Sequence, residues 1–321
     1  MKMTVNVPQI IDANINRVSE GLRVIEDYVR FISQDEGQTK HLSAMRKRLN
    51  MTENNKAEHL FSRDTTKDMR AKEVPQKRVN LVDLLTANFK RVEEGLRVLE
   101  EYTGISLYNE ARYDAYDLER DILLPLMKKM IPSGIYLISD EVEVLKKGLE
   151  WGVSLVQLRQ KDADKETLLN KAYEITALAK AADIPFIVND FLDIAQLVAA
   201  DGLHTGQDDI SVSEQRKLLG PHKIIGRTTH TLEQGLKAEA DGADYVSVGP
   251  IWETPSKPNR DGIGFEYLEA ASDQLSIPFV AIGGVNKTRL HEVLRYKPPL
   301  IGLIRDYEAI PEMQAILQQS V

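Results

Sequence analysis

From residue 135 onward the hydrophobic pattern alternates in a way that few folds can accommodate. Short runs rich in β-branched residues recur at 135–139, 154–159, 185–189, 202–205, 223–228, 245–249, 278–283 and 300–304. Each is followed by an amphipathic stretch, at 141–151, 164–182, 191–200, 213–219, 231–241, 265–274, 286–296 and 308–319. Period-2 or wholly apolar runs read as strands, and period-3.6 stretches read as helices. Eight strand–helix units in succession predict a small (β/α)8 barrel. An open doubly wound sheet is the runner-up. It usually has fewer strands and a glycine-rich first turn, and neither G-x-G-x-x-G nor G-x-x-x-x-G-K-[ST] occurs in the chain.

A barrel of this kind does its chemistry at the C-terminal ends of its strands. Those ends read Asp140; Arg159 and Lys161; Asn189 and Asp190; His204, Gln207 and Asp209; Thr228 and His230; Gly249; Gly283 and Gly284; and Arg305. The strand bodies are almost wholly apolar, so the polar residues gather where a site is expected. Asp190 and Asp209 face Arg159, Lys161 and Lys257, a pattern suited to a magnesium-bound polyphosphate. The bland alternative makes either aspartate a helix N-cap or a first-turn acid after its strand. His204 and His230 read more simply as structural histidines than as catalysts. Gly283 and Gly284 fit either a phosphate nest of backbone N–H groups or a plain tight turn. The polar stretch 250–264 is a candidate lid.

Residues 1–130 have another character. The segment ANINRVSEGLRVIEDY at 13–28 returns as ANFKRVEEGLRVLEEY at 87–102, offset by 74 residues (Asn14 to Asn88). Val18, Leu22 and Ile25 form a helical stripe that Val92, Leu96 and Leu99 repeat, which predicts two equivalent helices. Asn14 and Asn88 read as their N-caps. Arg17, Glu20 and Arg23 recur as Arg91, Glu94 and Arg97. This is either a solvated face with short-range ion pairs or a duplicated functional face. Gly21 and Gly95 cost helix stability, so the close approach of another helix or of a ligand is expected there. Further helices are predicted over 39–61 and 107–130. The basic segment 62–78 contains Arg63 and is either a phosphate grip or a solvated loop. The Ile-Pro-Ser-Gly sequence at 131–134 marks a boundary between an all-helical domain (1–130) and the barrel domain (134–321).

The 321 residues suffice for two domains. A net charge of −8 argues against nucleic acid or anionic membrane as a partner. No run is long and apolar enough for a membrane span, and the first residues do not read as a signal peptide. With no cysteine, disulfides and thiolate metal sites are excluded, and a cytoplasmic location is expected. Zinc is disfavoured for the same reason, whereas hard oxygen ligands beside phosphate favour Mg²⁺.

The motifs VQLRQKD at 156–162, FIVND at 186–190, ADGLHTGQDD at 200–209, GADYVSVGPIWETPSK at 242–257 and IPFVAIGGV at 277–285 give residues 134–310 a resemblance to thiamine phosphate synthase. That family joins hydroxymethylpyrimidine diphosphate to thiazole phosphate and releases pyrophosphate. The resemblance implies that Gln157, Arg159, Lys161, Asn189 and Lys257 bind the pyrimidine diphosphate. It implies Asp190 and Asp209 as Mg²⁺ ligands, and Thr254, Ser256 and Gly284 as contacts to the thiazole phosphate. Thr228 stands where the family usually has serine. After strand eight the pattern slips, and Arg305 is the expected phosphate partner there. The helical part resembles the domain ahead of some bacterial members that is regarded as an alternative hydroxymethylpyrimidine phosphate kinase. It carries duplicated AN-x-x-RV-x-EGLRV-x-E segments and SRDT at 62–65. This implies ATP as its cosubstrate and Arg17, Glu20, Arg23, Arg63, Arg91, Glu94 and Arg97 as candidate residues. The rival readings are a dimerisation scaffold for the helical part, making the chain a homodimer, and a thiazole tautomerase-like or regulatory precursor-binding barrel.

Overall fold

The computed structural model describes residues 7–51, 57, 61–63, 74, 77–253 and 262–319. The chain divides into two compact units, Met1–Met127 and Lys128–Val321.

The first unit is helical. It contains α1 (Val7–Tyr28), a π-helical turn (Val29–Ser33), α2 (Glu36–Met51), α3 (Leu81–Thr103) and α4 (Ser106–Leu126). The two predicted stripes pack against each other: Val18, Leu22, Ile25, Val92, Leu96 and Leu99 are all at most 2% exposed. The glycines account for how closely. A Cβ on Gly21 would lie 2.8 Å from Val92 Cγ2, and one on Gly95 would lie 2.6 Å from Val18 Cγ2. The contact is therefore reciprocal under the 74-residue offset, and it is a helix rather than a ligand that approaches.

The asparagines are not caps. Both are buried inside their helices, where their amides donate to carbonyls one turn back, Asn14 to Ile10 and Asn88 to Leu84, each at 2.8 Å. The apolar stripes extend upstream through Ile11 and Leu85, so α3 starts at Leu81 and its cap is Asn80, whose Oδ1 accepts the Asp83 N–H at 2.9 Å. The repeat also reaches further than the first helix of each pair. Buried Leu42, Met45 and Leu49 on α2 correspond to buried Tyr108, Ala111 and Ala115 on α4 at an offset of 66 (Leu42 to Tyr108). Arg46 pairs with Glu26 as Arg112 pairs with Glu100, each at 3.1 Å. The repeated element is thus a helical hairpin. Its first copy carries eight additional residues in the connection (74 − 66 = 8).

The second unit is a closed barrel of eight parallel strands in sequential order. They are β1 (Gly134–Ser139), β2 (Leu155–Leu158), β3 (Phe186–Asn189), β4 (Gly202–Thr205), β5 (Ile224–Thr229), β6 (Tyr245–Val248), β7 (Phe279–Ala281) and β8 (Leu300–Leu303). The intervening helices are α5 (Val142–Glu150), α6 (Lys165–Ala182), α7 (Leu192–Leu197), α8 (Val212–Leu219), α9 (Leu232–Ala240), α10 (Glu266–Gln274) and α11 (Leu290–Leu294). A 3₁₀ turn and α12 (Ile310–Gln319) close the chain. Each strand is covered on both faces, which is why it reads as a nearly unbroken apolar run.

Alternate residues serve two cores. Leu137, Val156, Val188 and Val246 belong to the layer under the helices. Tyr136, Leu155, Ile187 and Tyr245 fill the barrel interior. Gly226 makes the interior arrangement possible, because a Cβ there would collide with the Tyr245 ring and with His204 Nδ1. Tyr245 instead stacks on His204, with ring centroids 5.4 Å apart. Among the described residues, no helix is long and apolar enough to cross a membrane.

Candidate active site

The strand ends open on a cavity of about 750 Å³. Gln157, Arg159, Lys161, Asn189, Asp190, Thr228, Gly284 and Arg305 all line it. These eight residues come from five strand ends and were each expected from sequence. Thr254, Ser256 and Lys257 lie outside the described residues.

Local backbone chemistry sets where the acids point. Asp190 follows β3 directly in the left-handed conformation, φ 62°. Aspartate tolerates this better than most residues. Its N–H donates to the His204 carbonyl at 2.8 Å, while Phe191 N–H folds back on Asn189 O at 2.7 Å. The chain therefore turns sharply and leaves the carboxylate at the mouth. Asp209 closes the loop after β4 by accepting the Gly206 N–H at 2.7 Å. Neither aspartate caps a helix. The cap position of α7 is Phe191, and that of α8 is Ser211, which accepts the Glu214 N–H at 3.3 Å.

Burial and the neighbouring Asp209 raise the Asp190 carboxyl above its usual range, and Lys161 and Arg159 pull it back. Those causes place three of the expected charges, Asp209, Lys161 and Arg159, within electrostatic reach of Asp190. A half-buried carboxylate beside a second one is a site that a hard cation would relieve. Among the described residues no cluster of three or more His, Asp or Glu could hold a metal. Two carboxylates with water and phosphate completing the shell is the arrangement Mg²⁺ commonly takes.

On the opposite side, Gly283 and Gly284 follow β7 with φ 96° and 74°. A side chain at Gly283 would strike Pro250, and one at Gly284 would lie 2.8 Å from Trp252 Cβ. Among the described residues neither backbone N–H has a hydrogen-bond partner. The turn is therefore tight, and it also leaves two donors available at the mouth, as an anion nest requires.

Several residues escaped the sequence reading. Arg227 is buried on β5. Its guanidinium donates to Thr205 Oγ1 and to the carbonyls of Ile210, Gln207 and Asp209, at 3.0–3.2 Å. It thus fastens the loop that carries Asp209. Arg289, at the start of α11, stacks over Trp252 at 4.7 Å and donates to Gly284 O at 3.0 Å. It braces the glycine turn. Tyr136 and Tyr245 were read as strand body. His204 borders the cavity, held between Tyr245 Oη and Thr228 Oγ1 at 2.9 Å each. His230 Nδ1 is bonded to the Gly249 carbonyl.

The helical unit distributes its charges differently. Arg17, Glu20, Arg23, Arg91, Glu94 and Arg97 are all exposed. Arg23 pairs with Asp27 at 3.5 Å, and Arg97 pairs with Glu100 at 3.3 Å and with Glu101. Arg17 and Arg91 each reach the asparagine three residues earlier, at 3.4 and 3.2 Å. Arg63 forms a two-pronged bond to Asp12, 2.7 Å in each arm. Burial raises the Glu93 carboxyl, and Lys90 bridges it to Glu119.

Comparison with known proteins divides the chain similarly. Residues 132–306 match the family model described as thiamine monophosphate synthase, and residues 9–121 match the ThiD2 family model. A thiamine-phosphate synthase from Synechocystis sp. is 35% identical over 313 residues, covering 93% of this chain and 91% of that protein. One from Thermosynechococcus vestitus is 37% identical over 330 residues, covering 97% and 93%. Among solved structures, a thiamine phosphate pyrophosphorylase from Pyrococcus furiosus superposes with a TM-score of 0.55 at 31% identity. It covers 61% of this chain and 99% of that one.

Proposed function

The chain belongs to the thiamine phosphate synthase family and is a transferase of thiamine biosynthesis, and from that premise we propose how its residues divide the work. The barrel condenses 4-amino-2-methyl-5-hydroxymethylpyrimidine diphosphate with 4-methyl-5-(2-hydroxyethyl)thiazole phosphate. The observation that carries this assignment is the convergence of eight expected residues on one cavity, where Lys161, Arg159 and the nearby Asp209 each act on Asp190.

Arg159, Lys161 and Arg305 gather positive charge around the diphosphate. Gln157, Asn189 and Thr228 hold the pyrimidine end. Asp190 and Asp209 would hold Mg²⁺, which when bound supplies charge neutralisation for the leaving group. The carbon–oxygen bond breaks and its electron pair leaves with pyrophosphate. The methylene cation left behind is stabilised by the aminopyrimidine ring. The thiazole nitrogen, whose phosphate rests on the Gly283 and Gly284 N–H groups, donates its lone pair to that carbon. The protein acts by position and electrostatics, with no nucleophilic side chain in the path. Lys257, Thr254 and Ser256 belong to this scheme through the family resemblance alone.

The helical unit makes the pyrimidine diphosphate that the barrel consumes, using ATP. Its ThiD2 match supports a kinase-like role. The duplicated arginines are the candidate phosphate contacts. Incubating the purified full chain with both barrel substrates and Mg²⁺ tests the first half; absence of thiamine phosphate ends it. Supplying hydroxymethylpyrimidine phosphate, thiazole phosphate and ATP tests the second. Product from the diphosphate but none from the monophosphate would leave the helical unit as a scaffold. Sedimentation of the full chain would then show whether that scaffold forms a homodimer.

A further inference from the structure

Beneath the mouth, five polar side chains from five strands form one continuous hydrogen-bonded file across the barrel interior. The Gln157 amide on β2 donates to the Tyr136 hydroxyl on β1. Tyr136 meets the Tyr245 hydroxyl on β6 at 2.7 Å. Tyr245 meets His204 Nδ1 on β4 at 2.9 Å, and His204 Nε2 meets the Thr228 hydroxyl on β5 at 2.9 Å. Tyr136 and Tyr245 are at most 1% exposed, so water does not complete their hydrogen bonding.

Each link holds one hydrogen, which gives the file a direction. Tyr136 accepts from Gln157, and its own hydrogen has one place to go among the described residues, Tyr245. Tyr245 then accepts from Tyr136 and gives its hydrogen to His204 Nδ1. An imidazole that accepts at Nδ1 carries its hydrogen on Nε2. That hydrogen goes to Thr228 Oγ1, and the Thr228 hydroxyl hydrogen is left over. Thr228 lines the cavity. Were the Gln157 amide turned over, every donor would reverse. Thr228 would then give its hydrogen to His204 and present only lone pairs to an incoming anion.

We propose that Tyr136 is a positioning residue for the synthase reaction. It orients this file so that His204 is held as the Nε2–H tautomer and Thr228 donates into the cavity, to an acceptor on the pyrimidine diphosphate. This rests on the synthase reading of the barrel. Tyr136 borders the cavity at 1% exposure, and its effect on Thr228 passes through Tyr245 and His204.

The test uses the full chain labelled with ¹⁵N-histidine, with the His204 signals identified by their loss in His204→Gln. Long-range ¹H–¹⁵N spectra of the unsubstituted protein should show His204 protonated at Nε2. Protonation at Nδ1 overturns the proposal without any substitution being made. Tyr136→Phe should shift His204 toward the Nδ1–H form. It should also raise KM for the pyrimidine diphosphate about tenfold while kcat stays within about twofold, the loss expected for one hydrogen bond made equally in ground and transition states. KM for the thiazole phosphate should not move. Thr228→Val should reproduce that loss and Thr228→Ser should restore binding. Tyr136→Phe combined with Thr228→Val should lose little more than either alone, because both interrupt one file. Additive losses, or a lowered melting temperature with tautomer and KM unchanged, would reduce Tyr136 to a structural role. Failure to form thiamine phosphate would sink the synthase reading separately, since the tautomer is read without turnover.

Discussion

The two units of this chain use polar residues in opposite ways. In the barrel, charges come from strands far apart in sequence and meet in one cavity, where Asp190 is influenced by Asp209, Lys161 and Arg159 together. In the helical unit, the repeated arginines singled out from sequence pair at short range, Arg23 with Asp27 and Arg97 with Glu101, on exposed faces. Where the two copies meet, the contact is between small apolar residues, Gly21 against Val92 and Gly95 against Val18. Convergence of distant residues marks a site. Repetition marks a construction rule, and chemistry must be demonstrated on top of it.

The most direct attempt to break this contrast is Asp190→Asn with Asp209→Asn. Synthase turnover should fall on the order of a thousandfold while the protein stays folded, because transition-state charge stabilisation is lost. Unchanged turnover, measured by product formation at saturating Mg²⁺, would remove the barrel's claim to a convergent acid site. Next in size is Arg17→Ala with Arg91→Ala. If the repeated face contacts phosphate, ATP-dependent phosphorylation of the pyrimidine monophosphate should drop at least about tenfold, with synthase turnover from the supplied diphosphate unaffected. A drop in neither would make the face solvated surface.

A smaller effect should follow Gly21→Ala or Gly95→Ala. The clash with the facing valine should outweigh the gain in helix propensity and destabilise the helical unit by about 1–2 kcal/mol. A calorimetric scan of the full chain would register it. A stabilised protein would mean that the helices can part without cost. The smallest concerns Asp190→Asn in metal-free protein. Because burial and Asp209 raise the Asp190 carboxyl, the folded state holds that proton to higher pH than the unfolded state does. The ionised group therefore costs stability above the raised value, and the cost vanishes as pH falls toward the ordinary aspartate range. The substitution should raise Tm by about 1–2 °C at neutral pH, a difference that closes on acidification.

The barrel was legible because parallel strands covered on both faces leave an unmistakable apolar run, and because polar residues stop those runs on the side where ligands bind. All eight strands fall within two residues of their expected limits. The file beneath the mouth was not legible. Tyr136 and Tyr245 count as apolar in a run, and only closure of the barrel decides which parity faces inward. Arg227 was hidden similarly, because a charge inside a strand reveals nothing about the carbonyls it will meet two loops away. Arg289 sits on a helix start after the seventh strand, away from the ends where polar residues draw notice. In the helical unit, an asparagine ahead of an apolar stripe looked like a cap. Ile11 and Leu85 continue that stripe upstream, so Asn14 and Asn88 fall mid-helix and bond to Ile10 and Leu84.

The reciprocal meeting of α1 and α3 has a consequence for how this unit can change. A joint built from two copies of one surface has the isologous geometry of a twofold interface, held within a single chain. Each half carries both tooth and socket. A larger residue admitted at position 21 needs a smaller one at 92, while the matching contact between 95 and 18 stays as it was. Drift here is therefore constrained in pairs.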